Sequence, residues 1–469
     1  SSRMSARRLL VLTAAAIALL AFGASAREDS PSTTTIDPAP QRPGDPQMGR
    51  EYLLTGDSNG SGMPRVLFNA LGIARDADPK IDRDGPNAGL PHTMTAFTDA
   101  HGVEVVGMVN CLACHAQELN GRLIIGLGNS LANWTSETGI ETQPLRALAK
   151  ITTGPESPER EAFQHFIRGA DVLRGRMHPP FKGVTPAFRF EELAASARDP
   201  RTLAWTDEPV YEPNPYTIAS DVPPWWHIKK KNALYYNAIG RGDFATLLQQ
   251  IGVVGIKDAE QAGEIAERMP DLVAYLRTLE PPDFPGKIDT DLARGGERVF
   301  NDTCADCHGT YDTFTDGPET YPNKLVPVDI VGTDPGYARA LVESPFHEWY
   351  NESWFAESGE GSYAEPTTAY IAPPLDGIWS TAPYFHNGSV PRLSQVIDSD
   401  SRPTYWRRPF DDRAYKLDDP GWIYTEPGGP VDTNTYDTTK RGYGNGGHTF
   451  GDDLSNEERR ALLEYLKTL

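Results

Sequence analysis

Apolar positions in this chain gather in a few short runs, separated by long polar stretches rich in Gly and Pro. The first run, Leu9 to Gly23, follows Arg7-Arg8 and ends at Ala24-Ser25-Ala26, the pattern of an export signal with a small-residue cleavage site. The run is short for a membrane span, which needs roughly 20 residues. Residues 1–26 therefore read as a signal peptide, with an uncleaved anchor as the competing arrangement. Residues 27–47 hold Pro, Ser, Thr, Asp and Gln with little to bury, and read as a flexible leader.

Further along, the helical period appears twice in matching places. Ala274-Tyr275-Leu276-Arg277-Thr278-Leu279 recurs as Glu464-Tyr465-Leu466-Lys467-Thr468-Leu469, each at the end of an amphipathic pattern. Ahead of the second copy, Ser455 and Glu458 have capping-box spacing before Leu462, Leu463 and Leu466. Leu292 to Phe300 also reads as an amphipathic helix. Gly102 to Val109 instead is β-branched, alternating and glycine-broken, which predicts an extended segment. A Pro-rich seam, Pro281 to Gly286, separates the two patterns. The expected organisation is an N-terminal unit over residues 48–285 and a C-terminal unit over residues 286–469.

Composition narrows the class. The chain has 469 residues, enough for two or three domains. Its net charge is −21, and the signal segment contributes only the positive Arg3, Arg7 and Arg8. A chain this acidic is a poor partner for nucleic acid or anionic membrane, and no stable membrane insertion is expected once the signal is cleaved. The 43 Gly and 40 Pro imply many loops and few long strands.

The chemistry lies in two pentapeptides, Cys111-Leu112-Ala113-Cys114-His115 and Cys304-Ala305-Asp306-Cys307-His308. Cys-x-x-Cys-His is the attachment pattern of c-type haem. Two thiols three positions apart reach the two vinyl groups of one porphyrin, and the His beside them is an axial iron ligand. All 4 Cys of the chain lie in these motifs, so none remains for a disulfide. One zinc shared by two CxxC half-sites is the alternative, but it leaves both His residues and the export signal unused. The motifs also sit alike in their units: 160 positions separate His115 from Tyr275, and 157 separate His308 from Tyr465. Two covalent haems are expected, in an exported chain that is periplasmic or secreted.

The sixth ligand decides what each iron does. An iron with two protein ligands passes electrons, and one with a single ligand binds O2 or peroxide. No Met follows Met269, so His/Met ligation is not available within the C-terminal unit. Of its remaining histidines, His347, His386 and His448, the last lies in Gly446-Gly447-His448-Thr449-Phe450, directly before the closing helix. His448 is the expected partner of His308, with His386 the rival. The repeat offset of 190 sets Asp258 opposite His448, and Ile251 to Gln261 contains no His or Met, only Lys257. An open or weakly ligated iron on His115 is the consequence, with His92, His101, His165, His178 and His227 as remote candidates.

Near the seam lie Pro223-Pro224-Trp225-Trp226-His227 and Tyr235-Tyr236. Trp225, Trp226 and Tyr236 are candidates to relay electrons between the irons, or to pack on porphyrin faces. Lys229-Lys230-Lys231 is the one dense basic run, open to docking, to propionate pairing, or to plain solvation.

Tyr370-Ile371-Ala372-Pro373-Pro374-Leu375-Asp376-Gly377-Ile378-Trp379 and Thr381-Ala382-Pro383-Tyr384-Phe385-His386-Asn387-Gly388-Ser389-Val390-Pro391 resemble the signature of the bacterial dihaem cytochrome c peroxidase and MauG superfamily. The resemblance implies two c-haem domains, a reactive N-terminal haem and an electron-transfer C-terminal haem. It also implies that His386 lies beside the second haem, and that a calcium ion sits between the haems. The peroxidase Phe-Trp-Asp-Gly-Arg motif is missing; its nearest analogue is Tyr235-Tyr236-Asn237-Ala238-Ile239-Gly240-Arg241. The Pro-Pro-Trp-Trp stretch, the Gly-His-Thr-Phe-Gly loop and the closing helix look more like the rubber-oxygenase, RoxA-like branch, which cleaves isoprenoid double bonds with O2 on an open N-terminal haem. At 51.5 kDa the chain is short for a rubber oxygenase, so substrate identity does not transfer.

The expectation is a mainly α protein with two cytochrome c-like domains, long irregular loops and few short strands. Its function reads as peroxidase- or oxygenase-type redox chemistry. The oxidant would be O2 or H2O2, and the reductant an organic substrate or an electron-donor protein. A pure dihaem electron carrier and a MauG-like oxidase of a partner protein are the other two readings.

Overall fold

Ser455 starts the last helix, Asn456–Leu466, through a reciprocal cap. Its Oγ accepts from Glu458 N–H at 3.3 Å while Glu458 Oε2 accepts from Ser455 N–H at 2.8 Å. That helix buries Ala461, Leu462, Tyr465 and Leu466 against Thr290–Thr303, which Asp289 caps by accepting from Leu292 N–H at 3.1 Å. The axes meet at Gly296, where a Cβ would stand 1.9 Å from the Ala461 carbonyl oxygen. Only glycine permits so close an approach.

The same crossing is built near the start of the described chain. Helix Pro46–Thr55, with Pro in its first turn and Asp45 as cap, packs on Met269–Leu276. Here Gly49 is the contact, and a Cβ on it would stand 1.9 Å from the Asp271 carbonyl oxygen. Two helix pairs of the chain, one on each side of the seam, thus meet at a glycine.

Beyond the crossing helix the two units diverge. Thr290–Thr303 runs straight into Cys304 and the short helix Ala305–His308. After Thr55, residues 56–110 intervene before Cys111. They form helix Arg65–Ala70 and a three-stranded sheet of Met63–Pro64, Thr95–Thr98 and a central Glu104–Gly107. The extended segment expected before Cys111 is that central strand.

The computed structural model describes residues 32–74, 78–135, 142–315, 317–358 and 361–469. The export signal and residues 27–31 of the expected leader lie outside the described residues. The rest of that leader is not loose. Thr34–Thr35 pairs antiparallel with Lys324–Leu325, Ile36 is buried beside Ala233, Leu325 and Ile371, and Arg42 pairs with Asp243 at 2.7 Å. Composition weighs side-chain apolarity, whereas this strap is held by an open strand edge, one isoleucine and one ion pair.

Helix takes 36% of the chain and strand 12%, so the mainly α expectation holds. The strands are more numerous than expected, fourteen among the described residues in six small sheets, yet none exceeds four residues. The apolar cores interleave. The core around Leu112 and Trp225 also takes in Tyr337, Phe346, Tyr350 and Tyr370, from beyond the seam. The core around Phe300 and Tyr465 takes in Leu119, Leu127 and Trp226, from before it. Among the described residues no helix is long and apolar enough to cross a membrane.

Candidate haem-binding and redox site

His308 sits at the end of its one-turn helix, with Nδ1–H donating to the Pro373 carbonyl at 2.8 Å. That bond fixes the tautomer and leaves Nε2 as the free, basic nitrogen. Facing it is His448, at a ring-centre separation of 6.3 Å. Two imidazoles on opposite sides of one metal need this spacing: about 2 Å from metal to each nitrogen plus about 1 Å from nitrogen to ring centre on each side. Burial pushes His448 down to about 4 and lowers His308 as well, so both rings are neutral and carry a lone pair.

The His448 loop is locked from three directions. Gly447 abuts Gly332, where a Cβ would lie 2.0 Å from the Gly332 carbonyl carbon, and His448 itself takes a left-handed φ of 46°. His448 N–H donates to the Val331 carbonyl at 2.6 Å. Arg402 donates to five carbonyls: Gln395 at 2.7 Å, Asn445 at 2.9 Å, Gly447 at 2.6 Å, Val396 at 3.3 Å and His448 at 3.1 Å.

The rival His386 is turned elsewhere. Its ring stacks on Tyr370 at 4.1 Å and lies about 6 Å from Tyr236 and Tyr337, with Nε2 buried and unpartnered. Its neighbour Phe385, at φ 71°, is the side chain that meets the His448 ring, at 5.7 Å. The imidazole paired with His308 is therefore His448, and the aromatic against His448 within this block is Phe385.

The first motif begins at Asn110, whose Oδ1 accepts from Leu112 N–H at 3.0 Å and starts the turn Leu112–His115. A hairpin, Ala116–Leu119 with Arg122–Ile125, comes next, turning through Asn120-Gly121 in left-handed conformation. The His115 ring is stacked on Trp225, 4.3 Å between centres and 15° between planes. The Pro223 carbonyl stands beside His115 as that of Pro373 does beside His308, but off hydrogen-bond geometry, leaving Nδ1 without a partner. Burial pushes His115 down to about 3.

Among the described residues no second imidazole pairs with His115. His165 Nε2 lies 2.7 Å from the Gly255 carbonyl, and its ring faces His101 at 6.0 Å. His227 Nε2 meets the Asp376 carbonyl at 3.0 Å, and His347 Nδ1 meets that of Ser344 at 2.8 Å. His92 sits beside Arg83, and His178 borders a surface pocket with Arg176 and Arg189. Asp258, in register with His448, caps helix Ala259–Ala266 by accepting from Gln261 N–H at 3.0 Å, and Lys257 lies 3.9 Å from it.

The two adjacent tryptophans serve different cores. Trp225 packs on His115, while the fully buried Trp226 packs among Phe300 and Trp379. Trp226 Nε1–H donates to the Asp376 carbonyl at 2.8 Å, in the loop whose Pro373 holds His308. One peptide bond and one hydrogen bond therefore join the side chain behind His115 to the loop behind His308. Tyr236 is not part of this link; it donates to Asp221 Oδ2 at 3.4 Å and lies near His386. Two of the three lysines of the basic run pair with acids, Lys229 with Glu280 at 2.6 Å and Lys230 with Asp376 at 2.6 Å and with Glu319, while burial pushes Lys231 down to about 8.

These residues fit c-type haem: four unbridged cysteines, paired by motif, and an axial histidine in each motif. Among the described residues no three His, Cys, Asp or Glu side chains gather at metal-binding distance. Sequence reasoning missed Arg402, Phe385 and the prolyl carbonyls. The last had a visible signal, the doublets Pro223-Pro224 and Pro373-Pro374.

The CxxCH turns and their buried histidines are the features by which c-type cytochromes hold haem. In comparison with known proteins, residues 369–407 match the family described as RoxA-like, cytochrome c-like. That segment contains Pro373, Asp376, Phe385 and Arg402. Two curated relatives come from Sinorhizobium fredii. The uncharacterized protein y4iJ is 29% identical over 268 residues, 44% of this chain and 44% of its own. The uncharacterized protein y4iM is 25% identical over 300 residues, 54% of this chain and 65% of its own. The chain thus spans less than two thirds of the length of each.

Proposed function

We propose that the chain is an exported, periplasmic or secreted dihaem oxidoreductase of peroxidase or dioxygenase type. Cys111, Cys114 and His115 would hold one haem. Cys304, Cys307, His308 and His448 would hold the other. The carrying observation is the inequality of the two histidines: His308 faces His448 at 6.3 Å, whereas His115 is backed by Trp225 and faces no imidazole.

Bound haem supplies a redox iron that takes O2 or H2O2 where one coordination position is open. The chain's own residues set the difference. His308 and His448 would both hold the iron of the second haem, which would suit that site to electron transfer. Trp225 orients His115, and Trp226 joins that support to the Asp376 loop by a hydrogen bond, giving electrons a short path between the sites through one ring stack, one peptide bond and that hydrogen bond. The organic substrate or donor protein is taken up at the first site. A pure electron carrier would need a second ligand for His115, and the placement of all ten histidines argues against it. A MauG-like oxidase of a partner protein would share the same iron chemistry.

EPR and optical spectra of the resting ferric holoprotein test this. One high-spin and one low-spin haem are expected. Two low-spin haems that bind neither peroxide, O2 nor CO would refute the enzyme reading. Product analysis with H2O2, against O2 plus an alkene, then separates the two reaction types.

A further inference from the structure

A cavity of about 10 Å³, room for one water-sized molecule, lies beside helix Ala187–Ser196 and is lined from both sides of the seam. Phe188, Ile239, Leu247 and Phe346 give it apolar walls, and four polar side chains line it: Glu191, Tyr235, Gln250 and Tyr350. Gln250 Nε2 is buried and without a partner. Tyr235 O–H lies 2.9 Å from Glu191 Oε1 and 3.0 Å from Oε2, the only hydrogen bonds to that carboxyl among the described residues.

Glu191 is 3% exposed and forms no ion pair among the described residues. The titratable groups facing it are phenols, those of Tyr235, Tyr337, Tyr350 and Tyr211. Arg189, on its own helix, is committed to Glu192 at 2.6 Å. A buried carboxyl without a cation is costly. Its phenol partner carries a second cost, a left-handed φ of 66° on a bulky non-glycine residue. Both costs meet at one hydrogen bond on a cavity wall.

Tyr235 packs against the same apolar core as Cys111, Leu112 and Trp225, the surroundings of the first motif.

We propose that Tyr235 is a redox-active phenol of this protein, with Glu191 as the acceptor of its proton. In the step, the phenol O–H bond breaks and a new O–H bond forms on the Glu191 carboxylate. One electron leaves Tyr235 for the first haem centre after a hydroperoxide has oxidised that centre. A neutral phenoxyl radical remains, and the buried pair passes from one negative charge to none. The proposal rests on the reading of the His115 site as the reactive one.

Burial pushes Glu191 up to about 8. Below that pH the carboxyl already holds its proton, so the acceptor form gains about tenfold per pH unit up to about 8 and levels off above. Tyr235 oxidation follows the same profile.

The test is rapid-freeze EPR of the holoprotein after H2O2, with ring-deuterated tyrosine, in wild type, Tyr235→Phe and Glu191→Gln. A tyrosyl signal that narrows on deuteration is expected in wild type. It should vanish in Tyr235→Phe, and in Glu191→Gln form at least about tenfold more slowly and without the rise toward pH 8. An undiminished signal in Tyr235→Phe overturns the proposal while leaving the reactive-haem reading intact. If Tyr235→Phe does not fold, a wild-type pH profile in Glu191→Gln overturns it. A haem whose spectrum responds to none of H2O2, O2 and CO overturns the parent reading and this one with it; one that takes O2 or CO but not H2O2 overturns this proposal alone.

Discussion

Around Cys304–His308 the chain sets an imidazole on each side of one position. Around Cys111–His115 it sets one imidazole and backs it with an indole. Both sites share the attachment pentapeptide, a prolyl carbonyl beside the axial histidine, and a glycine at the helix crossing. They part in the loop before the closing helix. In the second unit that loop delivers His448; in the first, the register position is Asp258, a helix cap. On the proposed reading the attachment motif states only that a haem is held, and the chemistry would be set by a loop far along the chain and by whatever pins it.

The largest expected effect comes from removing the ligand that makes the sites unequal. His448→Ala should convert the low-spin haem entirely to high-spin, leaving two high-spin signals in EPR. His386→Ala should leave both signals as they are, because that ring faces Tyr370. A low-spin signal lost in His386→Ala and kept in His448→Ala would reverse the assignment.

The crossings test where the units are alike. At Gly296 and at Gly49 an added Cβ meets a carbonyl oxygen at 1.9 Å, and backbone cannot step aside as a side chain can. Gly296→Val and Gly49→Val should each cost about 3 kcal/mol in denaturant unfolding, toward the upper end for overpacking. A large loss at one and none at the other would end the equivalence of the two helix pairs.

Arg402 sharpens the comparison within the second unit. Its fork holds five carbonyls of the His448 loop and of the Gln395–Val396 segment. Lys keeps the charge and loses the planar fork. Arg402→Lys should loosen the loop by about 2 kcal/mol and populate a high-spin fraction of the second haem, with the first haem unchanged. Unaltered spectra would show that Val331 and Gly332 suffice to hold His448.

Much of this was legible in the sequence because its signals are local. The two CxxCH turns, the capping box at Ser455, the strand before Cys111 and the Gly-His loop each show within about ten residues. The remainder depends on partners far apart in the chain. Pro46–Thr55 could not be recognised as the first unit's crossing helix, since residues 56–110 separate it from Cys111. Residues 32–47 read as loose because their anchors, Lys324, Leu325 and Asp243, lie hundreds of positions away. Trp225 and Trp226 could be grouped with Tyr236 by proximity in sequence, but successive side chains face different cores, and only packing shows which. Glu191 gave no signal at all: a glutamate in an amphipathic helix reads as solvated until Tyr235 is found against it.

The smallest expected effect bears most directly on the Asp258–His448 pairing. Asp258 Oδ1 accepts from Gln261 N–H, and Gln261 in turn binds the Lys257 N–H at 2.6 Å and the Gly60 carbonyl at 2.7 Å. Asp258 therefore ties a helix start to the chain just past Pro46–Thr55, and does so through backbone groups. Asp258→Ala should cost about 1 kcal/mol, the usual loss of an N-cap, read as a lowered denaturation midpoint. Both haem spectra should be unmoved, and so should the affinity of the first haem for CO. A cap contributes stability without reaching the iron, whereas a residue acting at the iron in the manner of His448 would shift the spin state or the CO affinity while changing stability little. If Asp258→Ala alters the first haem's spectrum at near-constant stability, the loops before the two closing helices are functional counterparts after all, and the first site is ligated rather than open.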